Sequence, residues 1–227
     1  MRAKNVVLVL ALAACSNSET AGAEAARRRA AQEQAARGEA PATPAKRLAT
    51  PVPSNTHVPC AQLIDPAAFQ TGLGEKQALS VKDVTISERD ATASCSLVRG
   101  GKRPSEAEQN AKLKNAGKLG VLPGDELCNV SAFCWTIEDA ERFRVRCKER
   151  KERDDESMGS YACVRTVAVG PADVKVYRFF DDDTHCIFQV RGGPSLVDND
   201  LIQSCAKLAR DTIGPAQIKV ERAGSAG

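Results

Sequence analysis

Apolar positions fall into three regimes along the chain. Val6 to Ala14 is an unbroken apolar run of nine residues, with Arg2 and Lys4 before it and Cys15 after it. From Ser16 to Ala40 no Leu, Ile, Val or Phe occurs, and from 41 to 59 the punctuation is Pro41, Pro44, Pro51, Pro53 and Pro59. Beyond Pro59 the apolar residues become periodic. Asp65-Pro66 reads as an N-cap and first helical residue of a short helix that stops at Gly72. Alternation around Val84 to Ile86, and over Ala132–Ile137, Phe143–Cys147, Tyr161–Val169 and Val174–Phe180, predicts strands, Phe143-Arg-Val-Arg-Cys147 with its arginines on one face. Ser105 and Glu108 form a capping box at a helix start, and Leu201, Ile202, Cys205, Leu208, Ala209 and Ile213 recur at three- and four-residue steps. Lys148–Glu156, a run of charges, reads as a solvated hairpin tip.

Within this pattern one unit occurs twice. Thr92-Ala-Ser-Cys95-Ser-Leu-Val98-Arg99-Gly100-Gly101, followed by Pro104-Ser105, is echoed by Thr184-His185-Cys186-Ile-Phe-Gln-Val190-Arg191-Gly192-Gly193-Pro194-Ser195. Each copy follows an alternating segment and leads into a helix that ends near Gly120 or Gly214, so the unit is strand, turn, strand, Gly-Gly break, helix. The predicted fold class is α+β, an antiparallel sheet with helices on one face, built on this duplication and stabilised by disulfides.

The first regime concerns location. Nine apolar residues cannot cross a bilayer core of about 30 Å as a helix, so the run reads as an export signal. Leu12-Ala13-Ala14-Cys15 resembles the lipobox of bacterial lipoproteins. The resemblance implies lipidation of Cys15 as the first mature residue, and Ser16 in the next position implies sorting to the outer membrane where a cell has two membranes. Residues 1–14 are then a signal peptide, 15–59 a stalk, 60–220 a globular domain and 221–227 a flexible tail. Ala, Arg, Glu and Gln favour helix in the first part of the stalk but supply no apolar stripe, and the prolines favour an extended spacer in the second.

Charge changes this picture by exclusion. The chain carries a net +3, yet residues 60–227 hold 24 Lys and Arg against 25 Asp and Glu, so the domain has no basic field for nucleic acid. With Cys15 assigned to the lipid, eight of the nine cysteines remain: Cys60, Cys95, Cys128, Cys134, Cys147, Cys163, Cys186 and Cys205. An even set in an exported chain reads as disulfides, with 105 possible pairings. Pro59-Cys60, Leu63 and Pro66, with a later cysteine on a strand, resemble a group of bacterial cell-envelope lipoproteins, and this resemblance supports a Cys60–Cys95 bond. The favoured remainder is Cys128–Cys134, Cys147–Cys163 between adjacent strands, and Cys186–Cys205 between the last helix and the repeat strand.

Candidate chemistry is sparse. His185 beside Asp181, Asp182 and Asp183 offers a base and an orienting carboxylate, although Asp-Asp-Asp-Thr is first a turn composition, and His57 sits in the spacer. The aspartates lack the ligand spacing of a calcium loop, the cysteines lack the close pairs of a zinc site, and the glycine pairs lack a phosphate loop's other residues; no metal or cofactor is expected. Arg99 and Arg191, equivalent in the repeat, would converge on an anionic ligand if the copies packed about a pseudo-twofold axis. Trp135 reads as core. The expectation is a binding module anchored to a membrane through Cys15, with an envelope protein or a cell-wall polymer as partner. The alternatives are an envelope hydrolase, which needs His185 or a carboxylate pair in a cleft, and a small-ligand or metal carrier.

Overall fold

The computed structural model describes residues 52–88, 90–136, 139–158, 161–169 and 172–219. The expected signal peptide, Cys15, most of the stalk and the C-terminal tail lie outside the described residues. Among them the chain forms an α+β fold with one seven-stranded, wholly antiparallel sheet. The strands are β1 (Leu79–Asp83), β2 (Ala93–Arg99), β3 (Glu126–Phe133), β4 (Arg153–Asp154), β5 (Ala162–Val169), β6 (Ala172–Phe180) and β7 (Ile187–Gly192), in the order β1-β2-β3-β7-β6-β5-β4. The helices are α1 (Cys60–Leu63), α2 (Pro66–Gly72), α3 (Glu106–Ala116), α4 (Ala140–Glu149), α5 (Asn199–Thr212) and α6 (Pro215–Ile218).

Register separates the two faces of the sheet. Cys95, Val130, Val190, Tyr177 and Val164 are successive cross-strand neighbours on the first face. This face is apolar and carries the main core, because α5 lays Ile202, Cys205, Ala206 and Ala209 onto it and Leu63 and Phe69 join from α1 and α2. Asp65 and Asp198 cap α2 and α5 by accepting backbone N–H groups of the first turn. The next row, Ser96, Asn129, Arg191, Val176 and Arg165, points the other way, with Ser94, Ser131, Gln189, Arg178 and Cys163 beside it. This second face is polar at its centre.

Helices cover the first face as expected, but α4 packs on the second. Phe143 and Cys147 meet Cys163, Phe180 and Ile187 there in a smaller cluster. The expected strand at Phe143–Cys147 is therefore corrected to a helix: two apolar residues four apart suit one helical face as well as one strand face. Asp139 accepts the Arg142 N–H as N-cap, Arg146 and Lys148 occupy the last turn, and Val145 is exposed. Two further boundaries move. β3 starts at Glu126, ahead of the expected Ala132 window, and Thr85–Ser87 is a 3₁₀ turn rather than strand. The Asp83 carboxylate accepts the Thr85 N–H and the Ser87 hydroxyl donates to the Val84 carbonyl, which closes that turn locally. In the charged run, Glu152 is buried against Arg178 at 3.2 Å instead of solvated.

The duplicated unit appears as two hairpins, β1–β2 and β6–β7, that flank β3. Both β2 and β7 run antiparallel to β3, and their partners lie outward on opposite sides. An axis relating them lies in the sheet along β3 and exchanges its faces. The helices after the two hairpins differ accordingly: α5 covers the first face, whereas α3 has its capping box and a left-handed Gly117 stop but buries no residue.

All eight domain cysteines are bonded, as Cys60–Cys95, Cys147–Cys163, Cys128–Cys205 and Cys134–Cys186. The first two agree with expectation, although Cys147 lies on a helix. The other two correct it. Cys128 and Cys134 are six residues apart along one continuous extended segment, about 20 Å, too far to bond. Cys128 instead meets α5 on the first face, and Cys134 extends the Phe133–Ile187 register to Cys186 with Cα atoms 4.6 Å apart. Upstream, residues 52–59, expected in the spacer, lie against this end of the sheet. Val52 and Val58 are buried, and their N–H groups donate to the Cys134 and Thr92 carbonyls.

Candidate binding groove

The second face has at its centre a cross-strand ladder of small polar side chains. Ser94 lies opposite Ser131 and Ser96 opposite Asn129. All four are buried, and they satisfy one another: Ser94 Oγ and Ser131 Oγ are 3.0 Å apart, Asn129 Nδ2 donates to Ser94 Oγ at 3.2 Å, and Ser131 Oγ is 3.0 Å from Asn129 Oδ1. Two carboxylates close the ladder. Glu88, from the segment after the 3₁₀ turn, accepts from the Ser131 hydroxyl at 3.0 Å, and Glu126 accepts from Ser96. Glu126 owes its direction to an irregularity in the register between Leu97 and Val98. There Leu127 is the extra residue, which turns Glu126 to the second face although it is two residues from Cys128 on the first.

Beside the ladder, where β3, β7 and the β5–β6 hairpin converge, lies a groove of about 580 Å³. One wall is apolar, from Val169, Val174 and Leu196. The other is polar, with Arg191, Asp125 and Glu126, and the Gly192-Gly193-Pro194-Ser195 turn closes its end. Gly193 makes this turn possible by close approach: a Cβ there would stand 2.0 Å from the Glu126 carbonyl oxygen. Arg191 is the cation of the groove. Its guanidinium lies 3.9 Å from Glu88 with the side chain 46% exposed, so it retains donors for a ligand. Burial opposes the charge of Asp125, but the Arg103 guanidinium at 2.6 Å, the Leu122 N–H and the Ser195 hydroxyl outweigh it and hold its carboxyl below the usual range. The groove therefore presents one accessible cation between an anionic wall and a valine wall.

The structure does not bring Arg99 to Arg191. Arg99 lies on β2 opposite Leu79, and its guanidinium clamps Glu75 and donates to the Val121 carbonyl at 2.6 Å. The axis along β3 explains the separation, since equivalent positions of the two copies fall on opposite faces. His185 lies in neither place. It has a left-handed backbone (φ 55°), follows the Asp181–Thr184 turn and meets the Phe180 ring edge to face at 5.8 Å. Asp181 closes that turn by accepting both the Thr184 N–H and hydroxyl, and burial, reinforced by Asp183 and Asp182, raises its pKa. Trp135 is half-buried, donating its indole N–H to the Thr56 carbonyl and facing the exposed His57.

Cys147, Glu152 and Cys163 come within ligand distance of one another. Both sulfurs are committed to a disulfide and the Arg178 guanidinium occupies the carboxylate, so the donor set does not suit a cation. Ser94, Ser96, Asn129, Ser131, Glu88 and Glu126 were not singled out by sequence. Their signal is the alternation of small polar residues with Cys95, Leu97, Cys128 and Val130, which marks one polar strand face without showing that neighbours bury it. No protein-family model, curated protein or solved structure matches this chain.

Proposed function

We propose that this chain is a binding module of the bacterial cell envelope, held at a membrane by lipid on Cys15, and that the groove around Arg191 receives its partner. The observation that supports this reading is the groove itself: a half-exposed guanidinium in a groove it shares with two valines, and among the described residues none of those that line it belongs to a helix. Such a surface fits a ligand that carries an anionic group next to an apolar stretch, as a peptide segment of an envelope protein or a peptide-bearing wall polymer does. The cross-linked frame limits the rearrangement that binding demands, which favours recognition. The lipobox-like Leu12-Ala13-Ala14-Cys15 supports the location, and Ser16 supports the outer membrane where there are two.

The test is capture from solubilised envelope extract and co-sedimentation with purified wall polymer, using the full chain and its Arg191→Glu variant. One stoichiometric partner, or the polymer itself, is expected with the natural chain, with at least a tenfold loss in the variant, because the reversed charge repels the anionic group. Equal capture by both proteins, or none by either, would overturn the reading.

A further inference from the structure

The β5–β6 hairpin extends beyond the rest of the sheet. β7 pairs β6 only from Val176 onward, and β4 pairs β5 only at Cys163 and Val164. The two edges of this arm are treated differently. On the β6 side, Asn199 at the start of α5 accepts the Lys175 N–H at 2.8 Å and donates to the Asp173 carbonyl at 3.0 Å. On the β5 side, Arg165-Thr166-Val167-Ala168-Val169 is exposed along its whole length and, among the described residues, no strand pairs with its outward edge. Four of its five residues are uncharged, three of them apolar, whereas sheet edges are ordinarily blunted by charge, proline or a covering element.

The outward groups of this edge are fixed by the ladder. Phe180 N–H donates to the Tyr161 carbonyl across the β5–β6 pair, and Asp155 N–H donates to the Ala162 carbonyl from the β4 side. In an antiparallel ladder the direction alternates by residue, so odd-numbered residues of β5 bond to β6 and even-numbered ones point outward. Val164 is taken by Arg153 of β4. Thr166 and Ala168 remain, each with one N–H and one carbonyl directed away from the sheet.

We infer that the β5 edge pairs with the β5 edge of a second copy of this chain, antiparallel, about a twofold axis at Val167. Within the described strand this is the register that uses every outward group: Thr166 exchanges two hydrogen bonds with Ala168 of the second copy, and the symmetric pair makes two more. Val167 then meets Val167 at a non-hydrogen-bonded position, where side chains come closest. Charge permits the pairing, since Arg165 falls opposite Val169 and not opposite its own image. The axis is normal to the sheet, so both second faces, and both grooves, lie on one side of a continuous sheet. Five residues bury far less than the roughly 1,200 Å² of a stable interface, so the dimer is weak and concentration-dependent. Val169 belongs to both this edge and the groove wall, but the pairing follows from the strand register and needs no ligand in the groove.

The experiment is sedimentation velocity over a concentration series on the full chain carrying Cys15→Ser, which removes association through lipid. The natural residue 167 should give a dimer that grows with concentration. Val167→Lys and Val167→Glu should each weaken it more than about tenfold by setting like charges across the axis, and an equimolar mixture of the two should restore it. Thr166→Pro is the second route: it removes a donor that points outward and leaves the β5–β6 bonds intact, and should also give monomer with an unchanged circular dichroism spectrum. A natural chain that stays monomeric to millimolar concentration, a Lys variant that dimerises as well as the natural chain, or a Lys and Glu mixture that stays monomeric would each overturn the pairing.

Discussion

Tyr177 is the residue at which polarity and burial conflict most directly. Its ring sits in the first-face core, 1% exposed, and among the described residues its hydroxyl is the buried side-chain oxygen without a hydrogen-bond partner. Burial, with smaller contributions from Asp155 and Asp200, pushes its pKa from 10.0 up to about 12. The folded value lies above the unfolded one, so the neutral ring's contribution is complete below pH 10 and is lost as pH rises through about 12. Tyr177→Phe should stabilise the fold by about 1 kcal/mol at neutral pH, because it removes a buried hydroxyl that bonds to nothing. It should also remove the late component of the tyrosinate absorbance titration. Urea unfolding at pH 7 and at pH 11 checks both: a variant less stable than the natural chain at neutral pH would contradict this account.

Among elements, α4 depends on more than its own sequence. It is tied to β5 by Cys147–Cys163, stacks Phe143 under Arg178 at 5.8 Å, and stands next to the buried Glu152–Arg178 pair. Glu152→Gln leaves that guanidinium in the interior with a neutral partner and should cost about 3 kcal/mol in urea unfolding. Glu141→Gln breaks a solvated pair with Arg144 on the same helix and should change stability by less than about 0.5 kcal/mol. The same helix shows where sequence stops short. α2, α3 and α5 were legible because Asp65-Pro66, Ser105 with Glu108, and the Leu201–Ile213 periodicity are local signals; β5 and β6 were legible from alternation and β7 from the repeat. Phe143 and Cys147 satisfy both periods, and only Asp139 as N-cap tips the balance. The pairing of Cys128 and Cys134 was not legible because Cys134's partner depends on β7 lying beside β3 and Cys128's on α5 covering the first face, relations that no local pattern encodes. Of the groove, Arg191 was visible as a repeat position; the serine and asparagine ladder was not, because its burial is set by Glu88, Glu126 and strand order.

At the scale of the whole molecule, four cross-links join elements that are far apart in sequence, and their effect on stability should follow the spans they close. Cys128–Cys205 spans 77 residues and Cys147–Cys163 spans 16. By loop-closure entropy, replacing both cysteines of the long span by Ala should cost about 4.5 kcal/mol, against about 3 kcal/mol for the short one. Denaturation of the two double variants under non-reducing conditions would reverse this expectation if the short-span variant were the weaker protein. The first of the cross-links also has a mechanical meaning. Tension drawn through the chain from upstream reaches the domain at Val52, whose N–H bonds to Cys134, and can strip only the segment up to Pro59 before it meets the Cys60–Cys95 bond. The give is less than about 28 Å, the length of eight residues at full extension. Past that point force passes through sulfur into β2, which is hydrogen-bonded along its length between β1 and β3. Under load from upstream such a domain yields at its entry by a short length and then stops, and the face that holds its groove stays closed.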